Sequence, residues 1–261
     1  LLPGPRDRDG LPESLRFWKR RIEDFDPDQT FRLGLVYGPS GCGKTSLMKA
    51  GLLPRLAPDV AAIYVEATPE STETRIAREL EKRFPDAASG VGLPETLGNL
   101  RRGSGLPAGK KLLIVLDQFE QWLHAKRGEE NTELVRALRQ CDGSRVQAIV
   151  LVRDDFWLAV SRFLSALEVE LVQGQNCALV DLFDPRHATK VLTAFGCAFG
   201  ALPEDPSQLT ATQSQFLAEA IDGLAEDGKV ISVRLALFAE MVKGKPWTPQ
   251  TLKDVGGTAG V

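Results

Sequence analysis

Short apolar runs recur along the first two thirds of the chain, and each is bounded by polar or turn-forming residues. Runs of this length without polar alternation are typical of strands that are buried on both faces of a parallel sheet. The runs cover residues 33–37, 61–65, 111–116, 146–152 and 177–182. The pattern therefore predicts five buried strands.

Between these runs the apolar residues follow helical spacing instead. Leu15, Trp18, Ile22 and Phe25 illustrate it, because steps of three and four residues place side chains on one face of a helix. We predict helices over residues 13–25, 44–56, 72–84, 118–126, 132–141 and 156–171, and one short helix between loops within 91–109. Alternating strands and helices predict an α/β fold with a doubly wound, five-stranded parallel sheet.

The strand pattern ends near residue 184. Helical periodicity continues over residues 186–195, 211–224 and 230–242, which predicts a small C-terminal helical domain. The predicted organisation is an N-terminal segment and helix over residues 1–30, the α/β core over 31–183, a helical, lid-like domain over 184–254 and the start of a truncated following domain over 255–261. We therefore expect the chain to be a piece of a longer protein.

The first predicted strand leads directly into a phosphate-binding loop. Residues 38–45 match the pattern GxxxxGK[ST], with a strand before the motif and a helix after it, which is the context that the motif requires. The predicted phosphate-binding residues are Gly38, Pro39, Ser40, Gly41, Cys42, Gly43, Lys44, Thr45 and Ser46. A chance glycine-rich turn, the alternative, does not explain why strand, lysine, hydroxyl and helix occur together.

Each residue type in this loop has a physical role. The glycines allow tight, partly left-handed turns and let the backbone approach phosphate closely. Backbone N–H groups and the positive end of the following helix then face the anion. Lys44 is expected to place its ammonium between the β- and γ-phosphates, and Thr45 to supply a hydroxyl to Mg²⁺. The loop therefore predicts a P-loop nucleoside-triphosphatase that binds a nucleotide with Mg²⁺.

The third predicted strand ends in a carboxylate, Asp117. Strand ends open onto the ligand crevice in this architecture, so Asp117 should lie beside the phosphate loop and hold Mg²⁺, directly or through water. Gln118 and Glu120 follow, and hydrolysis needs a group that orients or deprotonates the attacking water. We favour Glu120 because a carboxylate can accept the proton. A surface glutamate in the first turn of a helix is the alternative.

The fourth predicted strand ends in Arg153, which is followed by Asp154 and Asp155. An arginine at this place can report whether the γ-phosphate is present. The alternative interpretation is an arginine that pairs with one of the two aspartates at the start of a helix.

Composition and charge narrow the function classes. The chain has 43% hydrophobic and 26% charged residues, as ordinary soluble proteins do. Its net charge of −3 argues against a broad surface for nucleic acid. The sequence has no apolar run of the roughly 20 residues that span a bilayer. Four cysteines without a CxxC pair indicate a reducing compartment. We therefore expect a cytoplasmic protein that binds no nucleic acid and has no membrane segment.

Three separated motifs together resemble a known family. They are residues 38–44 leading into 46–56, the acidic motif Asp117-Gln118-Phe119-Glu120, and the strand end Val152-Arg153-Asp154-Asp155-Phe156. In this order they are similar to the bacterial novel STAND NTPases, relatives of NACHT domains among the AAA+-like signal-transduction ATPases. The resemblance covers residues 31–245.

The resemblance implies a molecular switch driven by ATP, or alternatively GTP, with Mg²⁺. Such modules occur in large multidomain bacterial proteins, so fused effector and sensor domains, and a homo-oligomer on activation, are expected partners. By this resemblance Lys44 and Thr45 bind phosphate and metal, Asp117 binds metal, Glu120 is catalytic and Arg153 is the sensor. One departure is that residues 231–235 lack the Gly-x-Pro that many STAND proteins place against the base.

Two other functions stay open at this point. One is a nucleotide-bound scaffold without turnover. The other is a small-molecule kinase, in which the turn at residues 101–103, with two arginines and a glycine, would act as a lid over the acceptor. The acidic motif and the helical C-terminal region argue against the kinase.

Overall fold

The computed structural model describes residues 10–129 and 131–258. Its central sheet has five parallel strands in the order β2-β3-β4-β1-β5. The strands are β1 (Leu33–Gly38), β2 (Val60–Glu66), β3 (Lys111–Asp117), β4 (Val146–Arg153) and β5 (Cys177–Leu179). The predicted five-stranded parallel sheet is confirmed. Residues 1–9 of the predicted N-terminal segment and residues 259–261 of the predicted following domain lie outside the described residues.

The strand order brings the predicted site residues to one edge of the sheet. β1 lies between β4 and β5, although β2 follows it in the chain. From β1 the chain crosses to β2 at one side of the sheet and later returns to β5 on the other side of β1, so the strand order reverses at β1. Ligands of doubly wound sheets bind at such a point, outside the carboxyl ends of the strands. In the register of the sheet Gly38 pairs with Arg153, and Glu66 pairs with Asp117.

Helices cover both faces of the sheet. Before the C-terminal region they are α1 (Glu13–Glu23), α2 (Lys44–Ser46), α3 (Thr72–Arg83), α4 (Pro85–Ala88), α5 (Leu93–Arg102), α6 (Glu120–Ala125), α7 (Glu133–Leu138) and α8 (Trp157–Ala166). The main apolar core combines alternate strand residues with α3, α5, α7 and α8. On the other face Trp18 of α1 lies over Gly34, where a Cβ atom would stand 2.8 Å from the indole ring. A side chain at position 34 would therefore separate α1 from the sheet.

A buried lysine anchors the end of α1. Lys111, at the start of β3, is fully buried, and its ammonium donates to the carbonyl oxygens of Ile22 at 3.0 Å and of Asp24. Burial lowers the pKa of Lys111 to about 8, although the charges of Asp142 and Asp24 oppose the shift. The carbonyl groups at the end of a helix lack partners within it, so Lys111 satisfies groups that would otherwise be buried without one.

The helix predicted over residues 44–56 is wrong in its type. After the short α2 the chain forms a π-helical turn, Leu47–Leu52, and then a 3₁₀ turn, Leu53–Arg55. Pro54 has no N–H group to donate to the carbonyl of Ala50, so the α-helical hydrogen-bond pattern cannot continue through it. The guanidinium of Arg55 donates instead to the carbonyls of Ala50 and Gly51, each at 2.7 Å.

Several other boundaries differ from the prediction. The predicted fifth strand, 177–182, is paired only over Cys177–Leu179. The helix predicted over 156–171 begins as a 3₁₀ turn and ends at Ala166, where Glu168 takes a left-handed conformation with φ 54°. Residues 91–109 hold one helix, α5, as predicted. α4 precedes it and was not predicted.

Contacts divide the chain into two compact units. One is the sheet unit, which runs to Gly38 and resumes over Lys44–Val180; the other combines Pro39–Gly43 with the chain from Asp181 onward. The helices of the second unit are α9 (Pro185–Ala198), α10 (Ala211–Leu224), α11 (Ser232–Met241) and α12 (Pro249–Asp254). Phe216, Phe238 and Trp247 are buried in its own core. Among the described residues no helix is long and apolar enough to cross a membrane.

A small hairpin in the second unit was not predicted. β6 (Ala225–Glu226) and β7 (Lys229–Val230) pair antiparallel across Asp227 and Gly228, whose φ angles are 49° and 73°. Asp-Gly is a strong signal for a two-residue turn with positive φ at both positions. The hairpin ends just before α11, so the helix predicted over 230–242 begins at Ser232.

Candidate functional site

The loop after β1 has the backbone that its glycines allow. Gly41 and Gly43 lie in the left-handed region, with φ 74° and 99°. Residues with a side chain adopt this region only at a steric cost in free energy. Cys42, between them, is buried at 2% exposure. The loop therefore depends on glycine at two of the predicted positions.

The lysine of the motif folds back over its own loop. The ammonium of Lys44 donates to the carbonyl oxygen of Gly38 at 2.7 Å. This contact joins the first residue of the loop to the first residue of α2. The charge of Lys44 therefore lies at the end of β1, where the loop begins.

The structure joins the loop to the acidic end of β3. The hydroxyl of Thr45 donates to Oδ2 of Asp117 at 2.5 Å, and Asp117 is 2% exposed. Oδ2 also accepts from the hydroxyl of Tyr64, and Oδ1 accepts from the backbone N–H of Gln118 at 2.8 Å. Three donors thus surround a buried carboxylate. The predicted meeting of Thr45 and Asp117 is present.

These oxygen atoms suit a magnesium ion. Mg²⁺ prefers oxygen ligands and is usually bound through one or two carboxylates together with substrate phosphates, rather than by a cage of protein ligands. Thr45 can donate a hydrogen bond to Asp117 and still offer a lone pair of its hydroxyl oxygen to a metal. Among the described residues there is no group of three or more His, Cys, Asp or Glu side chains that could hold a metal by themselves. The donor set therefore fits a metal that shares its coordination with a bound phosphate.

Tyr64 was not predicted as part of the site. It lies on β2, and burial, followed by the hydrogen bond to Asp117, raises the pKa of its phenol. The ammonium of Lys49 lies 4.3 Å from the centroid of its ring and pairs with Glu66 at 2.9 Å. Tyr64 belongs to an apolar run in the sequence, and that run carries no motif that would single it out.

The residues after Asp117 turn sharply. Gln118 has φ 53°, which is unusual for a residue with a side chain, and its side chain is exposed. Phe119 donates its N–H to the carbonyl of Leu151 at 3.0 Å and is fully buried. Left-handed non-glycine residues cluster at functional sites. The turn leaves Gln118 at the surface and begins α6 at Glu120.

Glu120 lies in the first turn of α6 and is nevertheless 9% exposed. Its Oε2 accepts the backbone N–H of Arg153 at 3.4 Å, which ties α6 to the end of β4. Trp122, also on α6, stacks on Phe119 and donates its indole N–H to Glu73 at 2.9 Å. Glu120 is thus held in place and does not extend into solvent.

Arg153 makes the pair that the alternative interpretation predicts. Its guanidinium contacts Asp155 at 2.7 Å, and both side chains are about half exposed. Exposed ion pairs contribute about 0–1 kcal/mol. Arg153 can therefore leave Asp155 for another anion at small cost.

The kinase alternative is not supported by the position of its proposed lid. Arg101 lines a concavity with Lys110, Ser144 and Arg145. Lys110 directly precedes β3 and Arg145 directly precedes β4, so this concavity lies at the amino ends of the strands. The phosphate loop follows the carboxyl end of β1. The arginine turn is therefore at the opposite edge of the parallel sheet.

Comparison with known proteins identifies the family. The sequence profile described as novel STAND NTPase 1 matches residues 18–194 of the 261-residue chain. The chain belongs to this family. The predicted resemblance is confirmed, and residues 38–45, the acidic motif 117–120 and the end of β4 at residues 152–156 all lie within the matched residues. No match was found among curated proteins.

Solved structures share the fold of this STAND NTPase. A Walker-type ATPase of Pyrococcus abyssi matches with a TM-score of 0.60 at 18% identity, over 99% of this chain and 73% of that one. The ORC2 protein of Aeropyrum pernix, in ADPNP–ADP complexes, matches with a TM-score of 0.59 at 21% identity, over 98% of this chain and 69% of that one. At these identities the likeness shows the P-loop ATPase fold.

In the second unit of the STAND NTPase, the phosphate loop contacts the start of α11. The hydroxyl of Ser232 donates to the carbonyl oxygen of Gly41 at 2.6 Å. A Cβ atom on Gly41 would stand 2.7 Å from the side chain of Ile231. The stretch 231–235, which departs from the family pattern, thus contacts the loop through a serine hydroxyl and an isoleucine side chain.

Proposed function

We propose that this STAND NTPase is a regulatory switch module that binds ATP with Mg²⁺ and hydrolyses it slowly. The observation that carries the proposal is the hydrogen bond of 2.5 Å between Thr45 and the buried Asp117. It joins the phosphate loop to the acidic strand end, as a metal shared with a phosphate requires. The family and the P-loop ATPase fold support nucleotide binding.

The residues divide the work of binding. Backbone N–H groups of residues 38–46 would bind the phosphate oxygens, because a loop before a helix start binds anions. Lys44 would leave the carbonyl of Gly38 and bind the β- and γ-phosphates. Thr45 and Asp117 would hold Mg²⁺, which when bound neutralises charge on the phosphate oxygens.

Glu120 is the proposed catalytic residue for hydrolysis. It is nearly buried beside the backbone of Arg153, and a carboxylate can accept a proton from water. Gln118, the alternative, is exposed on a turn with positive φ. Arg153, released from Asp155, would bind the γ-phosphate and so distinguish triphosphate from diphosphate.

The proposed switch acts through the loop. The carbonyl of Gly41 accepts from Ser232, so a change in the loop backbone on phosphate binding would alter a contact with α11. A ligand shifts an equilibrium only by its different affinity for two states. Contacts of the γ-phosphate with Lys44 and Arg153 would supply that difference in affinity.

The wider setting is also proposed. We expect a cytoplasmic, multidomain protein in which fused sensor and effector domains use this switch, with a homo-oligomer on activation. Adenine nucleotides are the first choice over GTP, because the ORC2 relative in fold was solved in ADPNP–ADP complexes.

A single-turnover assay tests the proposal. Wild-type protein in excess over radiolabelled ATP with Mg²⁺ should release phosphate slowly. Glu120→Gln should bind ATP with unchanged affinity and hydrolyse it at least about 100-fold more slowly, since general-base groups contribute about 10²–10⁴ to the rate. Bound ATP without phosphate release by the wild type would leave the scaffold alternative, and equal rates in Glu120→Gln would move the catalytic role to another residue. Absence of binding would refute the proposal as a whole.

A further inference from the structure

The carboxylate of Asp117 is held at both oxygens. Oδ1 accepts from the Gln118 backbone at 2.8 Å, and Oδ2 accepts from Thr45 at 2.5 Å and from Tyr64. The terminal torsion of an aspartate joins an sp³ to an sp² carbon, so its minima are broad. Hydrogen bonds at opposite ends of the carboxylate therefore fix a rotation that the side chain does not fix by itself.

We propose that Tyr64 is a positioning residue that orients Asp117 for metal binding. The inference rests on the proposed function, since it assumes that Thr45 and Asp117 hold Mg²⁺. Of the two hydroxyl donors to Oδ2, Thr45 is itself an expected metal ligand. Tyr64 holds the same oxygen from β2, outside the expected coordination shell. Groups that hold a metal ligand in this way set its orientation and the affinity of the site.

Lys49 contacts both Tyr64 and its neighbour Glu66 on β2. Tyr64 and Glu66 are two residues apart on β2 and therefore lie on the same face. Lys49 bridges them, with its ammonium 4.3 Å from the ring centroid and 2.9 Å from the Glu66 carboxylate. A cation over an aromatic face is attracted to it. The π-helical turn that carries Lys49 thus contacts the ring whose hydroxyl donates to Asp117, and the exposed ion pair of Lys49 with Glu66 contributes about 0–1 kcal/mol.

Removing the Tyr64 hydroxyl should weaken the binding of Mg²⁺ and leave the binding of the phosphates unchanged. Tyr64→Phe keeps the ring, its place on β2 and the cation above it, and removes the O–H group. Lys44 donates to the carbonyl of Gly38, whereas the hydroxyl of Tyr64 donates to Asp117. We therefore expect metal-free nucleotide affinity to stay within about twofold. The affinity for Mg²⁺ should fall about tenfold, the lower end of the effect of such partners.

The matched control is the chain's other tyrosine, since the sequence has two. Tyr37 lies on β1, and the centroid of its ring is 4.9 Å from the centroid of the Trp157 ring. It is not one of the three donors to Asp117 described above. Calorimetry with ADP, in EDTA and over a Mg²⁺ titration, should be run on wild type, Tyr64→Phe and Tyr37→Phe. Binding of Mn²⁺ in the presence of ADP, followed by electron paramagnetic resonance, gives a second readout without turnover.

The expected result is a Mg²⁺ midpoint about tenfold higher in Tyr64→Phe, with the wild-type midpoint in Tyr37→Phe. A wild-type midpoint in Tyr64→Phe, or equal weakening of ADP binding in EDTA, would overturn the positioning role. If Tyr64→Phe does not fold, Lys49→Gln should shift the midpoint in the same direction by a smaller factor, and no shift there would overturn the role. Failure of wild type to bind ADP is a different result, because it refutes the proposed function.

Discussion

Replacement of Lys44 by alanine gives a sharp test of the phosphate loop. In the structure its ammonium donates to the carbonyl of Gly38 at 2.7 Å. Loss of one hydrogen bond from a charged group costs about 1.5–3 kcal/mol, which lowers the melting temperature by about 3–12 °C for a protein of this size. The protein without nucleotide should therefore still fold.

The larger effect concerns the ligand. With ADP and Mg²⁺ at about 100 times the Kd, the wild type gains about 2.7 kcal/mol, or about 5–10 °C in melting temperature. A charged hydrogen bond contributes about 1.5–3 kcal/mol, so its loss raises the Kd by up to about 100-fold. At the same ADP concentration the variant then gains about 0.4 kcal/mol, a shift of about 1–2 °C.

Differential scanning fluorimetry measures both quantities in one plate. Lys82→Ala is the matched control, because the side chain of Lys82 is 75% exposed and its ion pair with Glu79 is long, at 3.5 Å. It should keep the melting temperature and the ADP shift of the wild type. A shift of 5–10 °C that persists in Lys44→Ala would refute the assignment of Lys44 to phosphate.

Two further predictions concern Arg153 and Lys111. Arg153→Ala should weaken ADPNP binding more than ADP binding in calorimetry, because the side chain is proposed to contact the γ-phosphate; equal weakening would remove its sensor role. Lys111 has a pKa of about 8 in the folded protein against 10.5 ordinarily, so between these pH values the unfolded chain binds more protons and stability rises with pH. Urea unfolding should show that the free energy of unfolding of wild type, minus that of Lys111→Met, increases from pH 8 to 10.5. The increase should be up to about 1.4 kcal/mol per pH unit. A difference that does not change with pH would contradict the lowered pKa of Lys111.

The sheet was predictable because its strands are buried on both faces. Val150 and Leu116, for example, are fully buried neighbours in register, and such positions leave continuous apolar runs in the sequence. The order of the strands was not predictable, since the runs carry no information on which strand lies beside which. The five-stranded fold followed from the alternation with helices, and its strand order came from the structure.

Local conformations set by single side chains were the harder part. In the turns after α2, Pro54 cannot donate to the carbonyl of Ala50, and the guanidinium of Arg55 donates to that carbonyl and to the carbonyl of Gly51. Apolar spacing over so short a segment does not separate a π-helix from an α-helix. The hairpin before α11 was different, because Asp227 and Gly228 are a turn signal present in the sequence.

The candidate site also has residues that the sequence could reveal and one that it could not. Its expected ligands lie in contiguous motifs, so their spacing alone brought out Lys44, Thr45 and Asp117. Tyr64 stands 53 residues before Asp117 and belongs to no motif. The register of the sheet is what connects them, because Glu66 pairs with Asp117 and Tyr64 lies two residues earlier on the same face of β2. The contact between Tyr64 and Asp117 therefore becomes visible only once the order and register of the strands are known.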